Sequence, residues 1–479
     1  MDRYFDTCIE QYLERVDYVR SLVSRPISHD FQSLYKIFDD DLKKIRADLL
    51  IIRDVVRFKE IGLEKVKFRK FRRCVADFLR IEQTILPALL RHDNKEEKWV
   101  NKVLQRIVLE IAFPLVPPTI SCTSSDYFDS YMDKKLLLIP LAESHFLLHL
   151  PDIFHELGHS LLFEEDEPCL RKYIHSWQTV LSEISADFVL KHREHSNSRS
   201  RNIVKSYNEV WAERWANYWG LEFFCDLFAI YVCGPAYAWA HLHLCVKRGG
   251  DPYFLDYKGE EFHPSNDSRM QVILLGLERI GFNEEVGVIR EKWNSVITTI
   301  GAKKCMDYEL CYPMDKLRLL ESKAYQGFRT LNCVLYKGEM DNTIVAVLNE
   351  AWVKFWNSSI SYNEWEKETI EKLSNFEKKY IIKEAIMNVE NLNVNQGDHS
   401  IVNIADVINI SEGNKEEIFK ELNAANIGKE TKGVVRGLLD EIKSDLSQES
   451  KEMIVKKIKT TLGSGIKQIP SLVALLGGS

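Results

Sequence analysis

Along residues 1–115 apolar positions recur every three or four places between charged ones, the period of helices that bury a single face. Gly62 is the only glycine in that stretch and prolines are few, so little interrupts the helices, and a helical N-terminal domain over 1–115 is predicted. Within it, KVKFRKFRRC (65–74) interleaves bases with aromatics. Phe68, Phe71, Val75, Phe78, Leu79 and Ile85 approximate one helical stripe, broken by Glu82, which puts the bases on a wet face and leaves no nucleic-acid partner expected.

The texture changes at FPLVPPTISCTSSDYFDS (113–130), where prolines and small polar residues predict an irregular crossing between domains. LLLIPLA (136–142) reads as a short buried strand, and helical periodicity returns from Leu147 to about 350, giving a middle domain over 116–350. A charged connecting helix follows over 351–387. At 388–411 Leu392 and Val394 alternate with asparagines before Gln396-Gly397-Asp398, the pattern of an Asn-rich β-hairpin or arch. Residues 412–479 return to short amphipathic helices and form a small helical C-terminal module, suited to docking. The fold class expected is therefore mainly α, with a short β element in the middle domain and a small hairpin near the C-terminus.

With 479 residues, 45% of them hydrophobic, the chain can bury a large core. A net charge of −7 leaves no global basic field for nucleic acid or an anionic membrane. The opening MDRYFDTCIEQYLERVDYV lacks the apolar run of a signal peptide, and the ten cysteines show no CxxC pair, so a cytoplasmic protein with reduced thiols is expected. LFAIYVCGPAYAWAHLHLCV (227–246) carries no formal charge over a bilayer's length, but Gly234-Pro235 breaks it and His241 and His243 are polar. A buried helix pair is predicted there, with no membrane span.

The chemistry-bearing segment is His155-Glu156-Leu157-Gly158-His159. Histidines four apart lie on one helical face, where both imidazoles can reach one Zn2+, and Glu156 projects toward a water rather than the metal, as a general base does. A catalytic zinc needs a third protein ligand. Glu183 in SEISAD and Glu222 in LEFFCD each precede an aspartate by four residues, so each could ligate while Asp187 or Asp226 orients a histidine. Spacing does not separate them. His263, fixed by Pro264, and Arg269 beyond it are candidate catalytic donors to an oxyanion, with Tyr237 as a further candidate. His145, His149, His241 and His243 are read as packing or capping residues.

HELGH followed by a helical ExxxD pair resembles the gluzincin metallopeptidases, whose third ligand is a glutamate and whose aspartate supports a histidine. More narrowly, Glu222, Asp226, Gly234-Pro235-Ala236-Tyr237, His263-Pro264 and Arg269, with Pro140 and Glu143 upstream, are similar to a group of bacterial cytosolic HExxH proteins with the order ExxxD, GPAY and HPxxxxR. The resemblance covers about 136–270. It implies a helical zincin-like core, one Zn2+ per chain held by His155, His159 and Glu222, Asp226 behind them, and hydrolysis of a polypeptide substrate with Glu156 as base. Alternatives of other kinds are a non-catalytic helical interaction protein knitted by zinc and a membrane-associated peptidase resembling the CAAX group. The flanking regions, 1–115 and 388–479, imply a regulatory protein partner, by analogy with bacterial antiviral defence proteins that hold a peptidase idle.

Overall fold

The computed structural model describes residues 2–23, 26–54, 64–125, 127–144, 146–164, 166–196, 204–338, 343–357 and 359–375. The chain divides into two compact units, Met1–Ile370 and Glu371–Ser479, and nearly all the described residues belong to the first. The expected hairpin or arch at 388–411 and the helical module at 412–479 lie outside the described residues.

The protein is mainly helical with a small mixed sheet. Helices α1 (Asp2–Leu22), α2 (Gln32–Asp54) and α3 (Glu64–Gln83) pack on one another. Ile9, Leu13, Val16 and Val19 of α1 face Leu34, Phe38, Leu42, Ile45 and Leu49 of α2, each set three or four residues apart. On α3 the buried stripe runs through Cys74, Phe78 and Ile81, with Phe71 partly buried against it. Phe68, expected on that stripe, is 51% exposed. The stripe continues instead through Lys67, which is buried and pairs with Asp6 of α1 at 2.9 Å, and Phe68 lies one residue, about 100°, round the helix from it.

Short α4 (Ile85–Leu90) and α5 (Lys95–Glu110) lead to the sheet. The stretch expected to be irregular contains β1 (Thr119–Ser124), and β2 (Asp129–Tyr131) begins within it. Proline density hid β1 because its partners are not on a neighbouring hairpin arm. It pairs in parallel with β3 (Leu136–Pro140), which pairs antiparallel with β2, in the order β1-β3-β2. The outer edge of β1 is covered by α5: the Asn101 amide donates to Ile120 O at 2.7 Å and accepts from Ile120 N at 2.8 Å, while Glu97 accepts from Cys122 N at 3.2 Å. Side chains thus complete an edge that would otherwise leave unpaired backbone groups.

Beyond the sheet come α6 (Asp152–Phe163), α7 (Arg171–Ser196), α8 (Val204–Arg214), one π-helical segment at Trp215–Trp219, and α9 (Gly220–Cys233). Helix α9, GLEFFCDLFAIYVC, is apolar around nearly its whole circumference, as a central helix must be. It packs against α6, α7, α10 (Pro235–Arg248), α11 (Asn266–Arg279) and α14 (Met314–Phe328). Between α9 and α10 the chain turns at Gly234, whose φ of 74° suits glycine and where a Cβ would meet the Tyr336 ring. That turn splits the long uncharged stretch into two buried helices, and among the described residues no helix is long and apolar enough to cross a membrane. Helices α12 (Asn283–Ile300), α13 (Tyr308–Cys311), α15 (Ile344–Asn357) and α16 (Ser359–Asn375) complete the described residues.

Candidate metal centre

Two close helix crossings on α9 build the site. At the first, a Cβ on Gly158 would stand 2.8 Å from the Cys225 Cα, so only glycine lets α6 lie this near α9. At the second, a Cβ on Gly276 of α11 would stand 2.9 Å from the Leu227 side chain. Polar residues of three helices, His155, Glu156 and His159 of α6, Glu222 and Asp226 of α9, and Arg269 of α11, are thereby drawn together inside the protein.

His155, Glu156 and His159 form a largely buried group whose donor atoms lie within 4.8 Å of one another, an arrangement able to hold a metal ion. Glu222, in the first turn of α9, faces both rings: its Oε2 is 3.3 Å from His155 Nε2 and its Oε1 3.6 Å from His159 Nε2. Each imidazole thus faces a different oxygen of the carboxylate. Oε2 is also buried without a well-formed hydrogen bond, which a carboxylate oxygen does not ordinarily tolerate. Imidazole nitrogens and carboxylate oxygens are both donors to divalent cations. Glu183, the other carboxylate suggested by spacing, stands exposed on α7.

Behind His155 is a second polar layer. Asp226 Oδ1 lies 2.9 Å from His155 Nδ1, accepts from Arg269 Nη2 at 2.6 Å and from the Tyr237 hydroxyl at 2.5 Å, while Oδ2 accepts from Arg269 Nε at 2.9 Å. The Tyr237 ring lies nearly parallel to that of His155, 12° between planes and 6.1 Å between centroids. Arg269 and Tyr237, expected as donors to an oxyanion, therefore sit on the Nδ1 side of His155, away from the Nε2 that faces Glu222. His263 does face the Glu222 side, with Nε2 3.6 Å from Glu222 Oε2 and its side chain 58% exposed.

The charges are strongly coupled. Burial opposes ionisation of Asp226, yet the paired Arg269 guanidinium and His155 hold its carboxyl well below the usual carboxylate range. Burial likewise acts to strip His155 of its proton, but the Asp226 and Glu222 carboxylates outweigh it and push its pKa up to about 10. Glu222, despite burial, is held below the ordinary range by His159 and His155.

Asp152, three residues before His155, is a neighbour that sequence reasoning passed over. It accepts a 2.5 Å hydrogen bond from the Tyr127 hydroxyl, and burial raises its pKa to about 6. Its position at the first turn of a histidine-bearing helix was the available signal. Of the histidines read as packing or capping residues, His241 has its Nε2 near Asn266 O, and His149 and His243 pack ring to ring at 5.2 Å. Glu143 pairs with Lys247 near His149. The His145 side chain lies outside the described residues.

No family model matches the chain, and no curated protein or solved structure is significantly similar to it. The site's chemistry consequently rests on its own residues.

Proposed function

We propose that the protein is a zinc-dependent peptidase in which His155, His159 and Glu222 hold the ion and Glu156 is the general base. The observation that carries this reading is the Glu222 carboxylate, facing both imidazoles with a buried oxygen left without a well-formed hydrogen bond. A divalent ion in such a donor set supplies Lewis acidity, activating water and polarising an amide carbonyl.

The chain's residues do the rest. Asp226 faces Nδ1 of His155, fixing the tautomer that leaves Nε2 free for the ion. Arg269 and Tyr237 hold Asp226, so in this reading they position the histidine and do not touch substrate. Glu156 takes a proton from the attacking water as its oxygen bonds to the carbonyl carbon. When the carbon–nitrogen bond breaks, Glu156 returns that proton to the leaving amine. His263, largely exposed and 3.6 Å from Glu222, would donate a hydrogen bond to charge developing on the carbonyl oxygen.

Glu156→Gln in the zinc-loaded full chain tests the assignment, with cleavage of an unfolded protein substrate as readout. Zinc is retained and cleavage falls by about 10²–10⁴-fold. Undiminished cleavage by Glu156→Gln overturns the role of Glu156, and a wild-type chain that binds zinc but cleaves nothing favours a purely structural metal.

A further inference from the structure

Next to the metal centre, two aromatic side chains meet that the chemistry above does not use. Tyr218 belongs to the π-helical segment and precedes Glu222 by four residues, and Phe262 immediately precedes His263. Their rings pack edge to face at 5.1 Å, and Phe262 remains 59% exposed. The buried Arg214 guanidinium lies against both, 4.7 Å from the Tyr218 centroid and 5.9 Å from that of Phe262.

A single exposed aromatic is ordinary. This one is held in place. The Asp256 carboxylate accepts from the backbone N–H groups of Lys258, Gly259 and Glu261 at 2.8–3.0 Å, which fixes the loop ahead of Phe262. Beyond it Pro264 is buried and Ser265 caps α11. Gly259, at φ 71°, lets Arg214 pass beneath the loop, since a Cβ there would stand 2.9 Å from Nη2. The ring is thus offered to solvent on a preformed support, beside the one site histidine that is mostly exposed. Single π-helical turns such as the one carrying Tyr218 recur at functional sites.

We infer that Tyr218 and Phe262 form the specificity subsite of the peptidase, taking an aromatic or large apolar side chain of the substrate beside the scissile amide. The inference rests on the peptidase reading. Glu260 and Glu261, exposed just ahead of Phe262, disfavour an acidic side chain at the same place.

Amino-acid hydroxamates, which bind a zinc ion through the hydroxamate and present one side chain, are the probes. Calorimetry with the zinc-loaded full chain compares phenylalanine, alanine and aspartate hydroxamates in wild type, Phe262→Ser and Phe262→Leu. Wild type prefers phenylalanine over alanine hydroxamate by about tenfold and binds the aspartate probe most weakly. Phe262→Ser brings the phenylalanine-to-alanine ratio near one, and Phe262→Leu restores part of it. Equal affinities of all three probes in wild type overturn the subsite alone, whereas binding of none overturns the metal-site reading and the subsite with it. A dimer present in wild type and lost in Phe262→Ser, alongside equal probe affinities, assigns the aromatic pair to a second copy of the chain and also overturns the proposal.

Discussion

Asp226 stands directly behind His155, its Oδ1 2.9 Å from the imidazole Nδ1, while the same carboxylate receives two hydrogen bonds from Arg269. A buried charge pair of this kind adds little net stability when intact but is costly to break.

Asp226→Asn leaves the buried Arg269 guanidinium without its counter-charge and loosens the His155 ring. Stability falls by about 3–5 kcal/mol, and zinc affinity falls by about 10–100-fold. Denaturant titration and a competitive metal titration read the two effects. Unchanged zinc affinity in a folded Asp226→Asn protein contradicts the positioning role.

Gly158→Ala places a Cβ 2.8 Å from the Cys225 backbone, so α6 and α9 must move apart. In an isolated helix this exchange would stabilise by about 1 kcal/mol. Here overpacking costs about 1–3 kcal/mol, and Glu222 is carried away from both histidines. The expected result is a lower melting temperature together with weaker zinc binding. A stabilised variant with wild-type affinity would show that the crossing does not set the site.

The metal-free protein should lose stability as pH rises. His155, with a pKa of about 10 in the folded chain, lies above its unfolded value. Its stabilising contribution is therefore complete below pH about 6.5 and disappears between there and pH 10, at up to about 1.4 kcal/mol per pH unit. Asp226 has the opposite sign: its depressed pKa contributes stability above the unfolded carboxylate value, lost only as the solution becomes strongly acidic. Chemical denaturation of metal-stripped protein at pH 6.5, 8 and 9.5 checks this. The slope should be shallower in His155→Gln, where the buried thiols of Cys225, Cys233 and Cys311, whose pKa burial raises, supply what remains at the alkaline end, and a slope shared equally by both proteins rules His155 out as its source.

How far the sequence carried these conclusions varied with the kind of signal. The paired histidines and Glu156 were legible because ligands one helical turn apart are a local property. Spacing left Glu222 and Glu183 indistinguishable, since an ExxxD pair looks the same on any helix, and the family resemblance alone favoured Glu222. What separates them spatially is the α6–α9 crossing at Gly158 and Cys225, a contact between positions far apart in the chain. Arg269 was noticed, but its direction depends on how α11 meets α9. For β1, alternation was masked by its setting among prolines, and its edge is satisfied by Asn101 and Glu97, which no local pattern reveals. Phe68 misled because a helical stripe read from sequence tolerates an error of one position, and packing does not.

The central claim is that Glu222 completes a metal site with His155 and His159. Metal content per chain, measured after zinc loading and desalting of Glu222→Gln, Glu183→Gln and Glu156→Gln proteins, tests it most directly. One zinc per chain should remain in wild type, Glu183→Gln and Glu156→Gln, and be lost from a folded Glu222→Gln. Zinc retained at full affinity by Glu222→Gln, or lost from Glu183→Gln, would contradict the account.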